Sequence, residues 1–336
     1  MKTRALATRR KLTQRGFTLV ELLVVITIIG ILAGLALVAI PAAVGRVKEA
    51  AITAELAQIE TAMKLFQSDH GAFPPDLNAT CYPTVGERQG KIRSFMRKLS
   101  PRIVANDLLN QYDPTDMDQL KLIQNLELAG CVSPNAAAGT IVNGKLELDR
   151  IGPAEALVVF LSGFSSDVER PFTGTGDRKK YFGFAVERLK DLDNDGWLEY
   201  YPSGVDGAPY VYFNSTSYVN GNGVARFPND PNAMDAVYST VGQARPYCAT
   251  IGSTSGFANP DTFQIVTAGI DGHFGNFPDF TDTDDTKYYP TGLSGGSLTG
   301  TQSGFAFTVN AIAYTTDDRD NITNFAQGPL RNKEPE

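Results

Sequence analysis

Acidic side chains at alternating positions of one loop could bind a metal ion: Asp191, Asp193 and Asp195. Together with Gly196, they match the first half of an EF-hand calcium loop, which uses carboxylate oxygens at this spacing. The second half does not match, because Pro202 occupies the position of the usual glutamate. Glu199 could supply a ligand instead. Two interpretations stay open, a calcium-binding loop and a solvated turn.

A single carboxylate, Glu21, stands at the start of a long apolar segment. The next 24 residues, Leu22 to Gly45, carry no charge. As a helix they would be about 36 Å long, enough to span a bilayer core of roughly 30 Å. A secretory signal would have a shorter apolar region. A plain membrane anchor would leave Glu21 unexplained, because a carboxylate in lipid costs roughly 2–3 kcal/mol and usually has a partner.

The residues around Glu21 resemble the processing and methylation motif of type IV prepilins and type II secretion pseudopilins. The matching segment, GFTLVELLVVI, follows a basic stretch and runs from Gly16 to Ile26. The resemblance implies that prepilin peptidase cleaves between Gly16 and Phe17 and that the new Phe17 amine is N-methylated. Glu21 of an incoming subunit would then pair with the Phe17 ammonium of its neighbour and set the subunit register.

The resemblance implies three parts of the chain: a cytoplasmic leader (1–16), a long N-terminal helix (17–70) and a periplasmic or extracellular β-rich domain (71–336). The helix has a transmembrane segment at about 17–44. Basic residues precede that segment, so the C-terminal domain should lie outside the cytoplasm. Pro41 should kink or locally melt the helix. Beyond it, apolar residues recur at helical spacing, which predicts an amphipathic half that packs on the domain.

The domain is predicted to be α+β and pilin-like, with an antiparallel sheet packed on the long helix. Three segments are predicted strands, at 181–186, 209–213 and 263–267. Two further segments, 88–102 and 117–128, could be helical. Large insertions are expected at about 78–150, an irregular region, and 276–319.

Three C-terminal segments resemble the major pseudopilin of type II secretion systems. They begin at Gly207 (GAPYVY), Thr267 (TAGIDGHFG) and Asp320 (DNITNF). The resemblance implies that the last two bind one calcium ion, with these candidate ligands: Asp271, Asp318 and Asp320. The insertion between them departs from the family pattern. Its own acids could replace or supplement those ligands: Asp282, Asp284 and Asp285.

An enzymatic function has no support in the sequence, and we expect none. The chain has two histidines and no hydrolase, metalloprotease, P-loop or dinucleotide-binding motif. Removing the six cations of residues 1–16 takes the formal net charge from −7 to −13, which argues against nucleic-acid binding. Cys81, Cys131 and Cys248 form no CxxC pair and could form one disulfide, whose pairing the sequence leaves open.

The resemblance implies a structural subunit of a type II secretion pseudopilus. The expected partners are further copies of the chain, other pseudopilins, prepilin peptidase and the inner-membrane assembly platform. The protein would be a single-pass inner-membrane protein with a periplasmic domain until it enters the filament. Two alternatives remain: a minor type IV pilin or adhesive filament subunit, and a membrane-tethered, calcium-dependent binding module that does not polymerise.

Overall fold

The structure is a computed structural model. The chain forms two compact units, Met1–Val47 and Lys48–Glu336. The described residues are 17–79, 81–218, 227, 240–248, 257–275, 287–288, 297–302, 305–310, 318–326 and 328–333. Gly16 and the insertion acids Asp282, Asp284 and Asp285 lie outside these ranges, as does the side chain of Cys248.

The first unit contributes the apolar part of helix α1, which runs from Leu19 to His70. The helical assignment continues through Pro41, so the predicted local melting does not occur. The large apolar side chains of Phe17 to Val47 are 42% to 80% exposed. An apolar surface of this extent normally faces lipid or another protein chain. Within the described residues, α1 is the one helix long and apolar enough to cross a membrane.

The second half of α1 belongs to the globular unit and buries one face. Its buried residues recur every three or four positions, as the amphipathic pattern predicted: Ile52, Leu56, Ile59, Ala62, Met63 and Phe66. The helix ends where predicted, because Gly71 adopts a left-handed conformation (φ +75°) and its N–H bonds to Gln67 O at 2.7 Å. Two prolines follow shortly and prevent continuation.

Beyond the two helices expected there, residues 78–150 contain a further short helix and a pair of short strands, where an irregular region was predicted. Helix α2 begins with a Thr84–Glu87 capping box, and α3 begins at the N-cap Asp116 and ends at the left-handed Gly130. Both helices were anticipated, at slightly different bounds. The helices of this region and the next are α2 (Val85–Leu99), α3 (Met117–Ala129), α4 (Pro134–Ala138) and α5 (Pro153–Leu161).

The four-stranded sheet has the strand order β12-β11-β7-β5 and is antiparallel throughout. Its register pairs Val211 with Val266 and Ile322 with Thr267. Helix α6 (Ser215–Tyr218) follows β5 directly. The strands are β5 (Val211–Asn214), β7 (Phe263–Thr267), β11 (Ile322–Thr323) and β12 (Gly328–Pro329). The long helix followed by antiparallel sheets confirms the α+β class.

Four two-stranded pairs complete the sheets of the described residues. Three are antiparallel, β1–β2, β3–β4 and β9–β10, and β6–β8 is parallel. Their strands are β1 (Gln111–Tyr112), β2 (Leu146–Glu147), β3 (Leu189–Lys190), β4 (Glu199–Tyr200), β6 (Tyr247–Cys248), β8 (Lys287–Tyr288), β9 (Ser297–Gln302) and β10 (Phe305–Asn310).

The strand predictions have mixed outcomes. The strand at 263–267 is confirmed, and the one predicted at 209–213 begins at Val211, after Pro209. The prediction at 181–186 is wrong. There the N–H groups of Tyr181 and Phe182 both donate to Leu161 O at the end of α5, so this segment bonds to a helix terminus instead of a strand.

Candidate functional site

The first turn of α1 holds Glu21 in a capping box with Thr18. Glu21 Oε2 accepts hydrogen bonds from Thr18 N and Oγ1, both at 2.8 Å, and Glu21 N donates to Thr18 Oγ1 at 3.2 Å. This reciprocal pattern satisfies donors that a helix start leaves open. Phe17, the predicted methylated residue, is next to the cap and 77% exposed. The Thr18 cap therefore fixes the position of the Glu21 carboxylate at the start of the helix.

A second group of candidate functional side chains lies in the globular unit. We call it the acidic cluster, and its members are Glu155, Asp191, Asp193, Asp195 and Glu199. One carboxylate oxygen from each of Asp191, Asp193 and Asp195 lies within 4.8 Å of the other two. The same holds for Glu155, Asp193 and Glu199. The structure thus brings the three predicted loop aspartates together and adds two glutamates through the shared Asp193.

Local hydrogen bonds fix the loop that carries the aspartates, which connects β3 to β4. Asp195 Oδ1 accepts the Trp197 N–H at 2.7 Å, and Asp193 Oδ1 accepts the Asp195 N–H at 3.3 Å. The hydroxyl of Ser133 donates to Asp191 Oδ2 at 2.6 Å. Gly196 has a φ of +102°, a conformation that favours glycine at this sharp turn.

The two glutamates approach the loop from different elements. Glu155 lies in the first turn of the fully buried helix α5, where its Oε2 accepts the Gly152 N–H at 2.8 Å. Glu199 lies on β4 and accepts a hydrogen bond from the Tyr201 hydroxyl at 3.1 Å. The sequence had suggested Glu199 but not Glu155. One feature of the sequence could have identified Glu155: it is the single acidic residue in the apolar run Pro153–Leu161. A charged residue is seldom buried in such a run unless it is paired or binds a ligand.

Burial makes negative charge unfavourable in this cluster. It raises the pKa of Glu155 to about 8, with the neighbouring charge of Asp193 as the next cause. Burial also raises the pKa of Asp195 well above its usual range, again reinforced by Asp193. Carboxylates that lie close together and are removed from water are stabilised either by protonation or by a bound cation.

The other predicted calcium ligands accept hydrogen bonds from neighbouring groups of the protein. Asp320 Oδ2 accepts the N–H groups of Ile270 and Asp271 at 2.8 and 3.1 Å, and Asp318 Oδ1 accepts the Tyr247 hydroxyl at 3.1 Å. Although all three are described, Asp271, Asp318 and Asp320 do not form a group of mutually close oxygens. One nearby acceptor, Oδ1 of Asn321, is buried without a hydrogen-bond partner. Calcium at this loop stays a prediction.

The two cysteines whose side chains the structure describes are thiols. Cys131 is buried, and Cys81 is buried with its Sγ donating to Ser217 O at 3.3 Å. Burial raises the pKa of both thiols, which makes them poor nucleophiles. Because both are thiols, they form no disulfide with each other in this structure.

Comparison with known families identifies one segment. Residues 11–37 match the family described as prokaryotic N-terminal methylation motif. Comparisons with curated proteins and with solved structures found no match. The matched segment is a prepilin-type signal, and it leads into the apolar part of α1. The motif, the long helix and the α+β body together support a type IV pilin-like protein, and the apolar helix fits a membrane-anchored one.

Proposed function

We propose that the protein is a structural subunit of a type II secretion pseudopilus. Prepilin peptidase would cleave it between Gly16 and Phe17 and methylate the Phe17 amine. The mature chain would then leave the inner membrane and enter a helical filament. The role is structural and not catalytic. Its partners would be further copies of itself, other pseudopilins, the peptidase and the inner-membrane assembly platform.

The observation that carries the filament proposal is the exposed apolar surface of α1 with Glu21 at its start. The Thr18 cap gives this carboxylate hydrogen-bond donors within the single chain, which lowers the cost of holding it near lipid. The cap supplies no positive charge to balance the negative charge of Glu21. In a filament the Phe17 ammonium of a neighbouring subunit would provide one, and the apolar side chains would pack against neighbouring helices.

The choice of a pseudopilin over another pilin rests on the C-terminal segments. All three segments that resemble the major pseudopilin lie at the same end of the four-stranded sheet, next to the start of β5, the end of β7 and the start of β11. Gly207, just before β5, lies so close to the loop after β7 that a Cβ there would be 2.6 Å from Gly272 O. Gly269 in that loop lies equally tightly against Asp320, and its substitution would clash with the backbone. This adjacency supports a shared architecture with the family.

Assembly is tested by the substitution Glu21→Ala. We expect the variant to be cleaved largely as the wild type but to be excluded from filaments. Glu60→Ala is the matched control, since Glu60 lies on the same helix, within the globular unit, and pairs there with Lys64. Filament incorporation of Glu21→Ala at the wild-type level would contradict the proposed role of Glu21 in assembly, whereas absence of the wild-type protein from any filament would favour the membrane-tethered binding module.

Deletion of the gene distinguishes a pseudopilus subunit from a subunit of an adhesive pilus. We expect the deletion strain to retain exoproteins in the periplasm while surface pili persist. Normal exoprotein release together with lost or altered surface filaments would instead support the minor pilin or adhesin alternative.

A further inference from the structure

Three of the five members of the acidic cluster are buried to a degree that a solvated turn is not, and Asp191 and Asp193 are half-buried. Glu155 and Asp195 are each 4% exposed, and Glu199 is fully buried. Carboxylates removed from water are costly unless a countercharge or hydrogen-bond donors compensate them. Within the described part of the chain, no lysine or arginine forms an ion pair with Glu155, Asp191 or Asp195.

An unused oxygen provides an independent indication that the cluster binds a ligand. Oδ1 of Asp191 is buried and has no hydrogen-bond partner, while the other carboxylate oxygen of Asp191 accepts a hydrogen bond from Ser133. Asp195, more than nine-tenths buried, lies beside it and accepts the Trp197 N–H through Oδ1. An acceptor that is buried without a donor costs about 1–3 kcal/mol, so a positive ligand at Oδ1 of Asp191 would remove this cost.

We propose that the acidic cluster binds one divalent cation through Asp191, Asp193 and Asp195, with Glu155 and Glu199 completing its negative surroundings. The donors are all oxygens and include no histidine or cysteine, which selects a hard cation. Calcium fits best, because it accepts six to eight oxygens with flexible geometry and the loop has the first-half spacing of a calcium loop. The ion would join α5 to the β3–β4 loop. The site is separate from the Asp271 loop, and its existence does not depend on filament assembly.

The sole tryptophan of the chain makes the site directly measurable. Trp197 donates its backbone N–H to Asp195, so its indole lies close enough to sensitise the luminescence of Tb³⁺, which substitutes for calcium. We expect full-length protein in detergent to give Tb³⁺ emission on tryptophan excitation. Calcium should displace the signal with half-effect at about 0.1–1 mM, the range of extracellular calcium modules. Magnesium should compete much less well.

Two matched variants then locate the site. Asp193→Asn removes the residue common to both groups of close oxygens, whereas Asp271→Asn alters the loop that resembles the family's calcium site. We expect Asp193→Asn to lose at least about tenfold in apparent calcium affinity and to lose the calcium-induced rise in melting temperature. Asp271→Asn should keep both. Without calcium, Asp193→Asn should melt at or above the wild-type temperature, because it relieves repulsion between like charges.

Three outcomes would overturn the proposal. The first is a wild-type protein with neither calcium-displaceable Tb³⁺ emission nor a calcium-dependent melting temperature. The second is wild-type calcium binding by Asp193→Asn. The third is loss of binding only in Asp271→Asn, which would move the site to the other loop. If Asp193→Asn does not fold, Asp191→Asn replaces it, because it alters the unpartnered oxygen, and the same criteria apply.

Discussion

Glu55 of α1 forms a bidentate ion pair with Arg188, which precedes β3. The same carboxylate accepts hydrogen bonds from the hydroxyls of Tyr200 and Tyr210, both at 2.8 Å. Both members of the ion pair are largely buried, with side chains 17% and 18% exposed. One carboxylate therefore joins the amphipathic half of the long helix to β3, to β4 and to the entry of β5.

Glu55→Ala should destabilise the globular unit by about 2–4 kcal/mol. The substitution removes the carboxylate acceptor from two tyrosine hydroxyls and the countercharge from a mostly buried guanidinium, which keeps only its bonds to Tyr201 O and the Tyr200 hydroxyl. The unmet donors and the uncompensated charge cost more than the pair itself contributes. Urea unfolding of the protein in detergent micelles measures the change. Glu60→Ala is the control on the same helix. Its partner Lys64 is 63% exposed, so a change of about 0.5 kcal/mol or less is expected. Equal effects of the two substitutions would contradict this account.

The buried carboxyl of Asp76 should make stability depend on pH. Burial raises the pKa of Asp76 from 3.8 to about 6, although Asn214 N, Asn78 N and the Ser217 hydroxyl donate to it. An acid whose pKa is raised on folding stabilises the native state below its unfolded pKa, and that contribution is lost as pH rises through the folded pKa. The free energy of unfolding should therefore fall by up to about 3 kcal/mol between about pH 4 and pH 6.

Asp76→Asn isolates this contribution, because it removes the titration and keeps the shape of the side chain. The variant should lack the gain in stability that the wild type shows at low pH, so its unfolding free energy should change less over the same interval. Chemical denaturation at several pH values measures the slope of unfolding free energy against pH for the wild type and for the variant. An unchanged slope in Asp76→Asn would assign the pH dependence to other acids.

Gly196→Ala should destabilise the loop of the acidic cluster by about 1–3 kcal/mol. The positive φ of Gly196 disfavours any side chain, and an added Cβ would approach Leu146 Cδ1 to 2.9 Å. Gly90→Ala is the matched control. Gly90 lies within α2 with open space around it, so alanine should stabilise by about 0.5–1 kcal/mol. Melting temperatures that shift in the same direction would contradict the assigned role of Gly196.

Periodic segments of the fold were predictable from the sequence. The apolar spacing from Ile52 to Phe66 predicted the buried face of α1, and the predicted helix end at residue 70 agrees with the structure, because both depend on local chemistry. The run at Pro153–Leu161 was not assigned, since a short, fully apolar run fits a buried helix and a buried strand alike. The strand predicted at 181–186 was wrong because the tertiary contact with Leu161 O determines that segment.

The candidate sites were predictable only where their residues are neighbours in sequence. Asp191, Asp193 and Asp195 come together because one loop carries them, and Thr18 caps Glu21 within one turn. Glu155 could not be assigned to the loop aspartates, because the packing of α5 on β4 brings it there. The calcium ligands implied by the family resemblance, Asp271, Asp318 and Asp320, depend likewise on long-range packing.

Mass spectrometry of the mature N-terminus tests the central claim most directly, because every later step of the proposed assembly requires the new Phe17 amine. The protein should be isolated from the membrane of cells that express prepilin peptidase. We expect a chain that begins at Phe17 and carries one methyl group on its α-amine. A chain that still begins at Met1, or a chain that begins elsewhere without the methyl group, would contradict the account.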